Sequence, residues 1–571
     1  MSTAPRWRLD DLPVPPGAEE LRARSRHFEQ LEVAAMDAPT LAAALDELGE
    51  LRAALQLHAL GVELPLLVDD GDDAARRRLP DLDDLLADVD ASTRPFELAL
   101  TMLADEPADQ LLADVRLARH RQHIRRARRF RAHVLPEHDE ELLARREPAA
   151  EDAWQRLFEH VSNGLQGDGE SRPAAVVFGD LQSAQRDRRR AAMLELERAV
   201  KPYAEVLARC ADTLIADRLA MDELRGFSSP RAQTDLENDL PAATVDAALA
   251  AIERHRPLVR RWNEAKAALL GLDALTAADE QAPLPGLPAL SYSDAVGVIA
   301  EAFDSLSPDL GELVVELDRG GHIDAQPRRR KRSLATCVSA GAGTLPFVAV
   351  TFTGQPGDML TLAHEIGHAL HYALSVRAQS PLDYDPATPL AEMAAVFAEL
   401  LVLDHLAAEH DDLRAVTAAQ RMDFTARTVF RQAMITRFET TAYAARADGD
   451  LLTAQRLTEL WLDARRWLHG DAPIATDDLG WALVPHVIHH RFYNYAYALA
   501  ALTATSLLGQ WHADPERFPT RYVTFLSLGG AAPVPDQLAR LGLDSAGSWH
   551  AALDGLRTTL DACRAIGAGT A

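Results

Sequence analysis

Near the middle of the 571-residue chain, two histidines stand four residues apart, with a glutamate directly after the first: His364-Glu365-Ile366-Gly367-His368. On a helix, residues four apart share a face, so the two imidazoles can present nitrogens to one metal ion. Glu365 falls one step round the helix, close to such an ion but not aligned as a third ligand. That is the place for a base acting on a metal-activated water, and the metal this chemistry points to is Zn2+.

Catalytic zinc takes three protein ligands and keeps one position open. A metzincin would place glycine and a third histidine three and six residues after the second; here those positions are His371 and Leu374, which excludes that class. A carboxylate from a downstream helix is the alternative. The segment TPLAEMAAVFAELLVLDHLA (388–407) predicts such a helix, with Thr388 as N-cap and Pro389 at its first position. Glu392 and Glu399 lie two turns apart on one of its faces, amid apolar residues, and a carboxylate there wants a partner. Glu392 is the favoured ligand, with Asp383, Asp385 and His405 as weaker ones. Glu399 is either a hydrogen-bond partner for a ligand histidine or a surface glutamate.

A second concentration of donors lies in WALVPHVIHHRFYNYAYA (481–498), where His486, His489, His490, Tyr493, Tyr495 and Tyr497 fall together in a chain with nine tyrosines. Phenol and imidazole donors stabilise the oxyanion formed when a peptide carbonyl is attacked, although aromatic stripes also build cores.

These groups need elements to hold them. Asp358 reads as N-cap of the His364 helix, and Leu360, Leu362, Ala363, Ile366, Ala369 and Leu370 supply its apolar surface. Just upstream, GGHID (320–324), LATCVSA (334–340) and LPFVAVTF (345–352) form the one region that reads as sheet, with GAGT (341–344) as a turn. Such a hairpin either offers an edge to an extended peptide or is a covered structural element. The intervening PRRRKRS (327–333) reads as a localisation signal or as a basic loop beside a negative site.

Elsewhere, helix-favouring Ala, Leu, Arg and Glu dominate, so the chain reads as mostly α. Residues 17–110 carry helical spacing, 162–173 form a loop, 181–270 are helical and 271–290 connect. In RLARHRQHIRRARRFRAHV (116–134), the arginines read as a nucleic-acid face or, favoured in so acidic a chain, as the solvated side of a buried stripe of Leu117, Ile124, Phe130 and Val134.

The chain has 59 Lys+Arg against 86 Asp+Glu, a formal charge of −27, which opposes nonspecific binding to nucleic acid or anionic membrane. Three scattered cysteines build neither a disulfide framework nor a thiolate zinc site. The first residues lack a secretory pattern, and the apolar run Tyr497–Gly509 is too short to span a bilayer, so a cytoplasmic protein is expected.

Taken together, WRLDDL (7–12), RGF (225–227), APL (282–284), PFVAVTFTGQPGDMLTLAHEIGHALH (346–371), PLAEMAAVFAE (389–399) and HVIHHRFYNYAYA (486–498) resemble the oligoendopeptidase F group of the thimet-oligopeptidase-like zinc metallopeptidases. The resemblance implies a mostly helical, two-lobed, zincin-type protein with a small β-sheet beside the HEXXH helix and a deep central channel. It implies an N-terminal helical region (1–110), an oligopeptidase-F-type N-terminal domain (111–180) and a catalytic domain (181–571). It further implies one zinc per chain on His364, His368 and Glu392, Glu365 as base, and Glu399 supporting a ligand. His486, His489, Tyr493 and Tyr495 would contact substrate and stabilise the oxyanion. Short unstructured peptides would be the substrates, cut internally. A carboxypeptidase releasing dipeptides, reading the terminal carboxylate with an arginine from 328–332, and a non-catalytic peptide-binding scaffold are the alternatives. The chain departs from the group at RKRSLATC (330–337) and at ADE (278–280).

Overall fold

In a computed structural model, the chain is described at residues 4–9, 12–163, 165, 174–328, 330, 331, 335–341, 343–543 and 546–569. The predicted loop at 162–173 lies largely outside these residues, as do Arg329, Arg332 and Ser333 of the basic stretch and Leu334 of the predicted strand that follows. Helices dominate, as the composition requires. The predicted helical stretch 181–270 comprises five α-helices, divided at Pro202, Gly226, Pro241 and Pro257.

The chain divides into two compact units. One comprises Met1–Arg131, Pro288–Leu406 and Ala504–Asp544. Its N-terminal core pairs helix Ala38–Val68 with helix Asp73–Met102, burying Leu41, Leu45 and Leu48 against Leu85, Val89 and Phe96. Ala38–Val68 is long and apolar enough to cross a membrane, but these leucines are fully covered within the unit.

The same unit holds the sheet. Its strands are β1 (Ile323–Asp324), β2 (Thr336–Val338) and β3 (Phe347–Ala349), in the order β1-β3-β2. β2 pairs antiparallel with β3, Cys337 opposite Val348, and β1 pairs parallel with β3. The predicted hairpin is therefore present with shorter strands. Gly341, at φ 72°, begins its turn in a conformation that a side chain would strain. Trp7 of the WRLDDL motif pins the sheet: its indole N–H donates to the Val348 carbonyl at 2.8 Å, and its ring meets Phe347 edge-on.

Asp324, buried in β1, accepts from Lys331 at 2.6 Å and Arg328 at 2.9 Å. The described part of the basic stretch thus neutralises a carboxylate inside the fold, where an unpaired charge would be costly. Along 116–134, Leu117 and Ile124 are buried as expected, while Phe130 and Val134 are half-covered. The arginines there pair with Asp114, Asp46 and Asp105.

The second unit comprises Ala132–Leu287, Ala407–Thr503 and Ser545–Ala571. Trp262 and Trp461 are buried in it, Trp461 edge-on to Phe438 at 5.3 Å. Asp279 and Glu280, at the site of the ADE departure, anchor internal ion pairs with Arg186 and Arg189, and with Arg465 and Arg431.

Candidate active site

The helix carrying His364 runs Pro356–Ala378, three residues earlier than Asp358 suggested. Gln355 is its N-cap, with Pro356 at the first position where a missing N–H costs nothing. Asp358 instead closes a capping box, accepting from the Thr353 and Gln355 N–H groups at 2.6 and 3.0 Å. The second helix runs Thr388–Glu409, opening where Thr388-Pro389 predicted.

Close approach of these helices brings the candidate ligands together. A Cβ on Gly367 would lie 2.6 Å from Ala395 Cα and 2.8 Å from the Ala394 carbonyl, so only glycine fits. The facing alanines 394, 395 and 398 are fully covered. Small residues on both sides let the Glu392 carboxylate reach the imidazoles: its Oε2 is 3.6 Å from His364 Nε2 and 3.9 Å from His368 Nε2. The two rings are 5.0 Å apart and nearly perpendicular. Tetrahedral zinc with bonds of about 2 Å separates its ligand atoms by roughly 3.3 Å, so the three atoms are close to a ligating arrangement. Among the described residues this is the one group with metal-holding geometry, its ligand atoms all within 4.8 Å. Asp383 is instead held by Arg126 and Ser380, and His405 faces Glu301.

The fit to a cation rests on Glu392. Its Oε2 is buried without a hydrogen-bond partner, and burial raises its pKa. A lone carboxylate oxygen facing two imidazole nitrogens is costly to bury unless a cation completes it. Two nitrogens and one oxygen, with no further protein ligand among the described residues, match a catalytic zinc site with an open position.

Glu399 Oε1 lies 2.8 Å from His364 Nδ1. Burial alone would lower the His364 pKa; the Glu399 bond, with the charges of Glu399, Glu365 and Glu392, raises it to about 9. His368 moves well down, through burial and then the charges of His364 and His371. Glu365 is pushed up to about 7 by burial, against the pull of His364 and with the added repulsion of Glu392 and Glu399. A carboxylate poised near neutrality suits a group that takes and returns a proton. Cys337 on β2 is also close enough for the Glu365 charge to add to the upward shift that burial imposes on its thiol. His371 is buried with both ring nitrogens unbonded and packs on Phe525, so it serves the helix interior.

In the second unit, a four-residue helix His486–His489 leads into helix Asn494–Ala513. His486 stacks on Tyr493 with ring centres 5.4 Å apart and meets Tyr497 edge-on. Tyr493 and Tyr497, four apart, share the half-covered face. His489 packs edge-on to Phe158 and lies 3.7 Å from Glu159. Tyr495 points the other way: it is 1% exposed, and its hydroxyl accepts from Asn238 at 2.9 Å. Two participants in this segment were not singled out from sequence, Arg218 and Glu439. Each shares its helical turn with another charged residue, Asp217 in LIADRLA (214–220) and Arg437 in TRFETTA (436–442), so local sequence carried no signal that set either apart.

Helical layers around a small sheet, with an H-E-x-x-H helix facing a glutamate, define a helical zincin-type metallopeptidase. The sequence pattern of Peptidase family M3 matches residues 314–551 and that of Oligopeptidase F matches residues 100–166, together more than half of the chain. The chain belongs to peptidase family M3, in its oligoendopeptidase F group. It is 24% identical over 432 residues to Oligopeptidase PepF of Bacillus subtilis, spanning 72% of this chain and 64% of that protein. It is 26% identical over 432 residues to an Oligoendopeptidase F homolog of Lactococcus lactis, spanning 72% and 71%. The chain thus spans about two thirds of the length of these relatives. Among solved structures, PZ peptidase A with inhibitor 2 superposes with a TM-score of 0.79 at 18% identity, over 97% of this chain and 99% of that one. Oligoendopeptidase-F from Enterococcus faecium superposes with a TM-score of 0.71 at 19% identity, over 96% and 97%. These likenesses establish the fold.

Proposed function

We propose that the protein is a zinc-dependent oligoendopeptidase that hydrolyses internal bonds of short, unstructured peptides. The carrying observation is the unpartnered Glu392 Oε2 facing His364 and His368, with Glu365 beside them. In this reading His364, His368 and Glu392 hold one Zn2+, which when bound acidifies a water and polarises the scissile carbonyl. Glu365 takes the proton from the attacking water and returns it to the leaving amide nitrogen. Glu399 accepts from His364 Nδ1 and keeps the Nε2 lone pair toward the metal. His486, His489 and Tyr493 are assigned to substrate contact and oxyanion donation. Burial lowers the His486 pKa, so its ring is neutral and offers one N–H near pH 7. Tyr495, called a substrate contact from sequence, is better assigned to holding the segment, because its hydroxyl is buried against Asn238.

Endopeptidase action is favoured over release of dipeptides by the likeness to oligoendopeptidase F proteins, and Arg328 of the basic stretch is committed elsewhere. Arg328 and Lys331 are occupied by Asp324 and are not free to read a terminal carboxylate. Unpaired cysteines suit a reducing, cytoplasmic setting. The test is cleavage of a quenched fluorescent peptide of about eight residues, C-terminally free or amidated. Equal, internal cleavage of both forms, abolished by chelator and restored by zinc, supports the proposal. Cleavage of the free form alone would make the protein an exopeptidase.

A further inference from the structure

The segment that carries His486 and Tyr493 is irregular, yet it is held by charged groups sunk into two long helices of the same unit. Arg218, on helix Ala204–Arg225, is 5% exposed and donates to two successive carbonyls, Val487 at 3.2 Å and Ile488. Those carbonyls belong to the four-residue helix His486–His489, too short to satisfy them internally. Arg218 also donates to Glu151 at 3.0 Å, which balances its charge. Glu439, on helix Arg431–Ala447, is fully buried and accepts the Phe492 N–H at 2.8 Å, with the Asn494 side chain 3.5 Å away. Phe492 has φ 54°, a left-handed conformation that a bulky residue adopts only under outside constraint. That reversal separates His486 from Tyr493 in the chain while letting their rings stack at 19° between planes. Arg491, between the two struts, pairs with buried Asp222 at 2.9 Å, and its carbonyl accepts from Thr234.

We infer that Arg218 and Glu439 are positioning residues for the reaction: they clamp the backbone on either side of the His490–Arg491 turn and thereby fix where His486 and Tyr493 present their donors. This rests on the substrate-contact role given above to His486 and Tyr493. A site on a loop performs only as well as the rigid elements that aim it, and donors to an oxyanion act through placement established before the reaction. The alternative is an ion network that merely completes the fold of this unit.

The test uses the zinc-loaded full chain with R218M, R218K, E439L and E439Q, and with H486A and Y493F as controls. For each, kcat and KM for the quenched peptide are measured with the zinc content, the Tm and the inhibition constant of a phosphinic peptide mimicking the tetrahedral transition state. A positioning role predicts that R218M and E439L keep their zinc and lower kcat about tenfold or more, with KM within about threefold. The inhibition constant should rise by the same factor as kcat/KM falls. E439Q, which keeps an acceptor for the Phe492 N–H, should recover most of what E439L loses, and R218K part of what R218M loses. Unchanged kcat in R218M and E439L, beside impaired H486A and Y493F, would overturn the inference and leave the substrate-contact role standing. Loss of zinc, Tm and activity in one proportion would also overturn it, making the clamp a folding element. Wild-type turnover in both H486A and Y493F would overturn the substrate-contact role itself, and the inference with it.

Discussion

Glu399 Oε1 lies 2.8 Å from His364 Nδ1, so a carboxylate two turns beyond Glu392 on the same helix orients the ring whose Nε2 faces Glu392. With Nδ1 donating, the Nε2 lone pair is the one left for a metal. E399L removes this support without touching the three candidate ligands. Zinc affinity should fall about 10- to 100-fold, as for other groups that orient a ligand histidine. Competition with a chelator of known affinity measures it; an unchanged constant would mean that the hydrogen bond does not orient the ring.

Gly367 lets the two helices meet at a distance no side chain allows. In G367A the new methyl meets backbone atoms of Ala394 and Ala395, which cannot swing aside as a side chain tip would. Overpacking of this kind should cost about 1–3 kcal/mol of stability, read from thermal or urea unfolding of the metal-free protein. Zinc affinity should fall as well, because the displaced helix carries Glu392. A variant as stable as wild type would show that the helices separate freely.

Asp279 provides the pH dependence. Burial would raise its pKa, but Arg186, Arg189 and the Thr276 hydroxyl and N–H hold it down at about 2, against an ordinary value of 3.8. A carboxyl depressed in the folded state stabilises it above the unfolded pKa, and that contribution disappears as pH falls from about 4 to about 2. The shift corresponds to about 2 kcal/mol. D279N should be less stable than wild type at pH 7, where Arg189 is left buried without its anion, and should show a flatter loss of stability between pH 4 and 2. Urea midpoints across that range decide it; parallel curves would remove Asp279 from the acid response.

The helical character, the sheet beside the His364 helix and the downstream helix carrying Glu392 were all legible in local composition and spacing. His364 and His368 share a face by the period of the helix alone, and Thr388-Pro389 marks a helix start because proline tolerates that position. What local pattern does not carry is distance across the chain. Asp358 looked like a cap because its carboxylate suits one, and only the backbone turn at Thr353–Gln355 shows that it sits a turn inside. Tyr495 could not be told from Tyr493 and Tyr497 by type; the helix phase after Phe492 turns it toward Asn238. The basic cluster at 327–333 reads as a localisation signal or a basic loop beside a negative site because the partner of Arg328 and Lys331, Asp324, belongs to a strand too short to announce a buried charge.

The central claim is that His364, His368 and Glu392 hold the metal while Glu365 moves the proton. The most direct measurement pairs zinc stoichiometry with peptide cleavage for E365Q and E392A. E365Q should bind one zinc per chain and lose activity by about 100- to 10,000-fold, the range for removal of a general base. E392A should lose both tightly bound zinc and activity. Wild-type cleavage by E365Q, or an E392A protein that keeps its zinc against chelator, would contradict the account.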